Sequence, residues 1–355
     1  MELKNKIFHS DCLIGLKTIP NESVDCCVTS PPYWGLRDYG TATWEGGDKK
    51  CSHKRESKKS DKTITGHKNF EEMNGVGDAI YKEICLRCGA KRIDQQLGLE
   101  TTPESYVSKM VEIFSEVKRV LKKEGTLWLN LGDSYANDKI GNTKTKKNPK
   151  VVSNSFRKKR PDNLKPKDLV GIPWMVAFAL RSSGWYLRQD IIWYKSNPMP
   201  ESVTDRCTKA HEYIFLMSKS QKYYYDNEAI SEKTTTFDNG VRDRDNSKLN
   251  NTPGRTRMMG LKTNSYETRN KRSVWSVSTK AYKEAHFATF PEKLIVDCIK
   301  AGCPEKGIIL DPFMGAGTTA IVARKLNRNY IGFELNKDYI DIAEKRLIKE
   351  IGIFL

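Results

Sequence analysis

Residues 307–319 read Gly307-Ile308-Ile309-Leu310-Asp311-Pro312-Phe313-Met314-Gly315-Ala316-Gly317-Thr318-Thr319, and this stretch decides the fold. An apolar run ends on an acid and a proline, a glycine-rich turn follows, and Thr318 to Leu326 then has helix-forming character. Tyr330-Ile331-Gly332-Phe333-Glu334 comes next, a second buried strand that closes on an acid 23 residues after Asp311. Strand, turn, helix and strand in that order form a βαβ unit, whose ligand lies beyond the carboxyl ends of the strands. Glycine lets the backbone approach such a ligand closely. An acid ending the second strand is placed to bind ribose hydroxyls. No Gly-Lys-Ser/Thr follows, which excludes the phosphate loop of nucleoside triphosphatases, and a single Gly-x-Gly excludes the dinucleotide fingerprint. The unit points to an adenosine-type cofactor, with Asp311, Phe313, Gly315, Gly317, Thr318 and Glu334 as its candidate contacts.

Working back along the chain, the same alternation recurs. Val24-Asp25-Cys26-Cys27-Val28-Thr29 is β-prone and stops at two prolines, which an inner strand cannot accommodate. Thr102-Pro103 opens a helix, a Thr cap followed by Pro in the first turn. Val107, Met110, Phe114, Val117 and Leu121 give it one apolar face. Thr126 to Leu131 reads as a buried strand, Pro173 to Leu180 as a helix, Tyr186 to Tyr194 and Tyr213 to Met217 as strands, and Tyr339 to Ile351 as a closing helix. Strands alternating with helices predict a mostly parallel sheet covered on both faces. Residues 41–97 and 231–273 break the pattern and read as insertions outside the sheet.

The chain has 355 residues and a net charge of +17. Residues 139–167 hold eleven Lys/Arg against one acid, and residues 240–272 hold nine against three, so these two runs carry nearly all the excess. Positive charge concentrated this way attracts a polyanion, because neutralising phosphates releases condensed counterions. Neither run has the apolar face of a membrane-surface helix. The longest apolar run, Gly171 to Leu180, is ten residues, against about 20 for a membrane span. The start lacks an apolar signal core, and nine irregularly spaced cysteines do not form a disulfide framework. These features predict a cytoplasmic protein with no membrane partner and with free or metal-bound thiols. Cys207, Cys298 and Cys303 read as buried thiols.

Ser30-Pro31-Pro32-Tyr33, followed by Trp34, is the second chemical motif. Tandem prolines withhold two N–H donors and leave carbonyls to accept, which suits a substrate amino group. Tyr33 and Trp34 offer flat faces on which a base can stack.

With both motifs, the chain resembles the β-class S-adenosylmethionine-dependent DNA amino-methyltransferases. Their signature is Asp/Asn/Ser-Pro-Pro-Tyr together with a Phe-x-Gly-x-Gly cofactor loop; here Ser30 to Tyr33 and Phe313 to Gly317 carry the match. The catalytic motif precedes the cofactor motif, as in the permuted members. The resemblance implies an α/β fold with a Rossmann-like methyltransferase sheet, circularly permuted. A cofactor strand would then come from the N-terminus. Ile7 to Cys12 supplies it, with Asp11 and Cys12 near the adenine. His286 to Pro291 resembles the segment that packs on the methionine part, which adds Phe290 to the cofactor contacts. The catalytic domain would comprise 1–40, 98–230 and 274–355. Residues 231–273 would form the target-recognition region, with Arg255, Arg257, Arg269 and Arg272 facing DNA.

The implied reaction is transfer of a methyl group from S-adenosylmethionine to the exocyclic amine of a base flipped out of double-stranded DNA. Ser30, Pro31, Pro32 and Tyr33 would be the catalytic residues. Ser at the first motif position points to cytosine N4 as the target, with adenine N6 as the alternative. Carbon-5 methylation needs a Pro-Cys nucleophile, and the chain has no such dipeptide. A restriction–modification or phage setting, a cognate restriction endonuclease as partner and a monomer or homodimer are expected. A catalytically silent DNA-binding protein on the same scaffold is the rival reading, disfavoured by the intact Ser30, Tyr33, Asp311 and Glu334.

Cys51-Ser52-His53 and Cys85-Leu86-Arg87-Cys88-Gly89 form a third constellation. A Cys-x-x-Cys-Gly knuckle with a distant Cys/His pair supplies four soft ligands for a structural zinc. His211 reads as structural, Lys195 and Asn197 either as lining the DNA cleft or as part of a solvated loop, and Asp133 as a ligand-side strand end placed to orient the target pocket or to serve structure alone.

Overall fold

A computed structural model describes residues 3–35, 41–48, 50–53, 84–93, 96–136, 161–233, 268–279 and 290–352. In chain order its strands are β1 (Lys6–His9), β2 (Val24–Thr29), β3 (Thr43–Glu45), β4 (Lys91–Ile93), β5 (Leu121–Leu131), β6 (Tyr186–Tyr194), β7 (His211–Ser218), β8 (Glu232–Lys233), β9 (Thr268–Arg269), β10 (Val274–Ser276), β11 (Ile308–Asp311) and β12 (Asn329–Glu334). Its helices are α1 (Cys12–Leu16), α2 (Pro103–Val120), α3 (Ile172–Ser182), α4 (Glu292–Gly302), α5 (Thr318–Lys325) and α6 (Lys337–Ile351).

Eight strands form one sheet in the order β1-β12-β11-β2-β5-β7-β6-β10. All run parallel except β7, which is antiparallel to both β5 and β6. The two ends of the chain therefore meet: β1 pairs with β12 from Lys6 opposite Ile331 to His9 opposite Glu334. Helices cover both faces, as near-continuous apolar strands require. One core cluster packs Leu16 of α1, Tyr106, Met110 and Phe114 of α2 and Val176 and Leu180 of α3 on the sheet. The other packs Leu294 and Ile299 of α4, Ile321 of α5 and Leu347 of α6 on the opposite face.

Local chemistry sets the ends of these elements. Thr102 caps α2 by accepting the Ser105 N–H at 3.1 Å, with Pro103 in the first turn as its missing donor allows. The N-terminal strand is shorter than the sequence suggests. It ends at His9, because the Asp11 carboxylate accepts the N–H groups of Leu13 (2.9 Å) and Ile14 (3.1 Å) and so starts α1 instead. The fifth strand begins five residues earlier than expected, at Leu121, and its pairing with β2 shifts register between Val24 and Cys26. Cys298 and Cys303 are buried as expected, but Cys207 is exposed, since it lies in an irregular stretch between β6 and β7 rather than in the core. Among the described residues no helix is long and apolar enough to cross a membrane.

Candidate active site

The parallel topology brings the chemistry-bearing residues to one edge of the sheet. The carboxyl ends of β1, β12, β11, β2 and β5 lead to Asp11, Glu334, Asp311, Ser30 and Asp133. Because β7 runs the other way, its first residues, His211 and Glu212, arrive at the same edge.

Asp311 is 1% exposed. Its Oδ1 accepts from Thr29 Oγ1 at 2.6 Å and from the Phe313 N–H at 3.0 Å, and its Oδ2 accepts from Thr319 Oγ1 at 2.6 Å. Burial pushes its carboxyl up to about 6, against the lowering effect of those three donors. The side chain therefore braces the glycine turn and fastens it to the end of β2. Gly315 (φ +51°) and Gly317 (φ +79°) take left-handed backbone conformations. A Cβ on Gly317 would lie 2.7 Å from Ala343 Cβ, whereas one on Gly315 would meet only the Phe313 carbonyl at 4.0 Å. The outer side of the turn at Gly315 is thus open. Thr318 is turned inward, where its hydroxyl accepts from Arg346 Nη1 at 3.2 Å.

Glu334 accepts the Gly315 N–H at 2.8 Å on one oxygen and the Asn336 N–H at 2.8 Å on the other. Burial raises its carboxyl above the usual range. The Ser10 N–H donates to the Glu334 carbonyl at 3.1 Å, which places the turn into α1 beside it. Asp11 spends one carboxylate oxygen on its helix cap. Burial, then the nearby Asp11 charge, pushes Cys12 up to about 12, so it stays a neutral thiol. Phe313 packs against the first core cluster and Phe290 against the second. Residues 286–289 of the expected cofactor segment lie outside the described residues.

At the Pro-Pro corner the two proline carbonyls differ. Tyr106 Oη donates to the Pro32 carbonyl at 3.0 Å, while among the described residues nothing donates to that of Pro31. The Tyr33 ring rests on Gly132, where a Cβ would sit 2.5 Å from Tyr33 Cε2. Its hydroxyl is 2.7 Å from Glu212 Oε2 and 3.1 Å from Asn130 Oδ1, and Ser30 Oγ approaches it at 3.4 Å. Lys195 Nζ forms an ion pair with the other Glu212 oxygen. Burial first, and the Glu212 charge second, hold Tyr33 well above its ordinary value, so the phenol is a neutral donor. This network of Asn130, Lys195 and Glu212 was not legible as such in the sequence. Its only trace is charge at the ends of apolar strands.

The structure also places the remaining residues singled out in the sequence. Trp34 is in the core at 8% exposure, its indole N–H donating to the Glu100 carbonyl at 2.9 Å, so it offers no stacking face. Asp133 accepts the N–H groups of Gly171 (3.1 Å) and Ile172 (3.2 Å), which caps α3. Asn197 clamps Thr279, accepting its N–H at 2.7 Å. Arg269 and Arg272 both reach Glu232, at 3.4 and 3.0 Å, and Arg272 keeps 69% of its side chain exposed. Arg255 and Arg257 lie outside the described residues.

Outside the main sheet, β3 pairs with β4 in a separate two-stranded sheet. Beside it the ligand atoms of Cys51, His53, Cys85 and Cys88 all lie within 4.8 Å of one another.

A model of the N6/N4 type described as DNA methylase matches residues 24–345. The chain belongs to that DNA methylase family. It is 41% identical over 342 residues to the type II methyltransferase M.Cfr9I of Citrobacter freundii, covering 96% of this chain and 87% of the relative. It is 37% identical over 345 residues to the type II methyltransferase M.SmaI of Serratia marcescens, covering 97% and 91%. Its fold matches the PvuII DNA methyltransferase (cytosine-N4-specific) with a TM-score of 0.56 at 15% identity, over 96% of this chain and 85% of that one. It also matches a DNA modification methylase of Thermus thermophilus complexed with S-adenosyl-L-methionine, with a TM-score of 0.53 at 18% identity, over 98% and 95%. The enzyme is thus a site-specific DNA methyltransferase whose mixed α/β sheet carries its candidate site along one edge.

Proposed function

We propose that this DNA methylase transfers a methyl group from S-adenosylmethionine to N4 of a cytosine flipped out of duplex DNA, as the modification enzyme of a type II system. The observation that carries this reading is the 2.6 Å hydrogen bond from Thr29 Oγ1 to Asp311. It joins the residue before the Ser30–Tyr33 corner to the acid that opens the cofactor turn, across 282 positions of sequence. A methyl donor held over that turn is therefore beside the corner that would hold the amine.

The residues fit such a donor. Glu334 retains acceptor capacity on both oxygens for ribose hydroxyls, and Asp11 has a carboxylate oxygen beyond the one used as a cap, suited to an adenine amine. The open face at Gly315 admits close approach. Phe290, Phe313 and Cys12 supply apolar contact, while Gly317, Thr318 and Asp311 hold the turn in shape. The bound cofactor supplies an electrophilic methyl on a positive sulfonium, beside an edge rich in carboxylates.

At the corner the lone pair of a cytosine amine is delocalised into the ring and is a poor nucleophile. Ser30 Oγ and the Pro31 carbonyl, which accepts from no described residue, accept the two amine hydrogens, which favours a pyramidal, more nucleophilic nitrogen. As the methyl bonds to that nitrogen the C–S electron pair stays on sulfur as a neutral thioether, and one amine proton is given up to solvent. Pro32 keeps the backbone rigid, with its own carbonyl tied to Tyr106. The Tyr33 ring, fixed through Glu212 and Asn130, bounds the base. Positioning and electrostatics provide most of the acceleration. A thiol nucleophile is not at hand, because Cys26 and Cys27 of β2 are fully buried and held protonated by that burial. In the family, Ser at the first position of this motif accompanies a cytosine N4 target and Asp or Asn an adenine N6 target, and Ser30 follows the first pattern. Methyl transfer needs no Lewis acid, so the Cys51, His53, Cys85 and Cys88 cluster has no catalytic part in it.

The circularly permuted catalytic domain in this reading comprises 1–40, 98–230 and 274–355, and the target-recognition region is 231–273. Arg255, Arg257, Arg269 and Arg272 of that region contact DNA, and the basic runs supply phosphate affinity. A cognate endonuclease sharing the recognition site is the expected partner of such an enzyme. The test is methylation of duplex DNA with labelled S-adenosylmethionine, followed by digestion to nucleosides and chromatographic separation. N4-methyldeoxycytidine is the expected product. N6-methyldeoxyadenosine would overturn the choice of base, and no transfer to DNA would overturn the activity.

A further inference from the structure

We infer that Cys51, His53, Cys85 and Cys88 bind one structural zinc ion, and that this ion holds the 41–97 insertion together. The inference does not rest on the methylation reading.

The donor spacing is that of a closed tetrahedral site. Zn–S bonds of about 2.3 Å and Zn–N bonds of about 2.0–2.1 Å imply tetrahedral edges of about 3.8 Å between two sulfurs and about 3.6 Å between sulfur and nitrogen. Cys51 Sγ lies 3.8 Å from Cys85 Sγ, and Cys88 Sγ lies 3.5 Å from His53 Nδ1. The sulfur separation is far beyond the roughly 2.05 Å of a disulfide. Three thiolates and an imidazole are a zinc donor set.

The surroundings aim the donors. The Cys85–Cys88 segment is a tight knuckle, in which the Gly89 N–H donates to the Cys85 carbonyl and the Cys85 N–H to the Ala90 carbonyl, both at 2.8 Å. Gly89 takes φ +73°, as the turn after the second cysteine requires. His53 itself sits at φ +53°, a conformation that a side-chain-bearing residue rarely adopts, and its ring stacks on Trp44 at 4.2 Å with 13° between the planes. Backbone strain of this sort persists where the surroundings impose it, often at a ligand clamp.

The insertion needs such a clamp. Among its described residues Cys85 and Ala90 form the one apolar cluster of its own, with Trp44, Cys51 and Cys88 packed against it, while Leu97 at its end joins the main core. Two three-residue strands with so small a core are not stable on their own. Metal binding supplies the missing folding energy. The unit is also rooted at the catalytic corner: the Gly35 N–H donates to the Gly98 carbonyl at 2.8 Å, and Gly98 packs against the Tyr33 carbonyl.

Elemental analysis of the full-length protein purified without added metal should give close to one zinc per chain. Cobalt(II) exchanged into the wild-type protein should show the visible absorption of a tetrahedral thiolate site, a readout that needs no variant. Cys88→Ser and Cys85→Ser should lose most of the zinc and gain protease cleavage within the insertion, while Cys207→Ser should keep it. Folded wild-type protein that contains no zinc and takes none up on dialysis would overturn the inference. So would zinc retained undiminished in both ligand variants.

Discussion

Tyr33 Oη lies 2.7 Å from Glu212 Oε2, and the other oxygen of that carboxylate is ion-paired with Lys195. The phenol that follows the two prolines is thus locked to a strand running against the rest of the sheet. A hydrogen bond to a charged group is worth about 1.5–3 kcal/mol. If that energy orients the ring, Tyr33→Phe should lower kcat by roughly 10- to 100-fold and leave cofactor affinity unchanged. Glu212→Gln should do the same, and the double variant should cost little more than either single one. Steady-state kinetics with titration calorimetry measure this; strictly additive losses would show that the two side chains act independently.

The acids of the cofactor edge were legible because each ends an apolar run: Asp311 after Ile309-Leu310, and Glu334 after Ile331-Gly332-Phe333. The Pro-Pro corner was legible because its prolines interrupt a strand. Glu212 was not, because its function depends on β7 being antiparallel, and an apolar run such as Tyr213 to Met217 looks the same in either direction. Nor does sequence spacing reveal that Trp34 is a core residue, since its partner Glu100 lies beyond the 41–97 insertion. Strand β10 escaped notice because Val274–Ser276 is too short to show a period. Asp11 follows β1 at the cofactor edge, but as the cap of α1 and not as the strand end its flanking residues suggest, because a single acid after an apolar run carries no mark of which element it closes or opens.

The two glycines of the cofactor turn should respond differently to a methyl group. Gly317→Ala combines left-handed backbone strain of about 1–2 kcal/mol with overlap against Ala343. The overlap adds about 1–3 kcal/mol of overpacking. It should lower stability by about 2–5 kcal/mol and abolish cofactor binding. Gly315→Ala meets open space, so only the strain of about 1–2 kcal/mol remains in the free protein. Its effect should appear chiefly in cofactor affinity, where the added methyl meets the ligand. Urea unfolding and calorimetry separate the two; equal stability losses would contradict the packing at Ala343.

Asp11 offers a way to separate cap from contact. Asparagine caps a helix about as well as aspartate, so Asp11→Asn should unfold at nearly the wild-type temperature. To keep the cap, the amide oxygen must face Leu13 and Ile14, which turns an NH2 group toward the cofactor edge. An adenine amine would then face a donor, and S-adenosylmethionine affinity should fall about tenfold, the loss expected for a hydrogen bond to a charged group. Glu334→Ala removes both the ribose acceptor and the Gly315 tether, and should weaken binding further. Unchanged affinity in Asp11→Asn would move the adenine elsewhere.

Asp311 sets a pH dependence whose sign runs against that of ordinary paired carboxylates. Burial raises its carboxyl to about 6 in the folded protein, whereas an unfolded aspartate titrates near 3.9. Between those values the folded state holds a proton that the unfolded state has released. Stability from this group is therefore fully present below about pH 4 and is lost as pH rises toward about 6. Two pH units correspond to about 3 kcal/mol. Thr29, Thr319 and the Phe313 N–H limit the loss without cancelling it. Asp311→Asn keeps the shape, because its oxygen can accept from Thr29 and Phe313 while its NH2 donates to the freely rotating Thr319 hydroxyl. It carries no such titration, so its stability relative to wild type should improve by about 3 kcal/mol between pH 4 and pH 7. Taking the difference between the two proteins removes the contributions of the other carboxylates. If urea unfolding at pH 4.0, 5.5 and 7.0 shows wild type gaining on the variant as pH rises, the three donors outweigh burial. The bond to Thr29 would then stabilise the ionised acid rather than merely compensate for its desolvation.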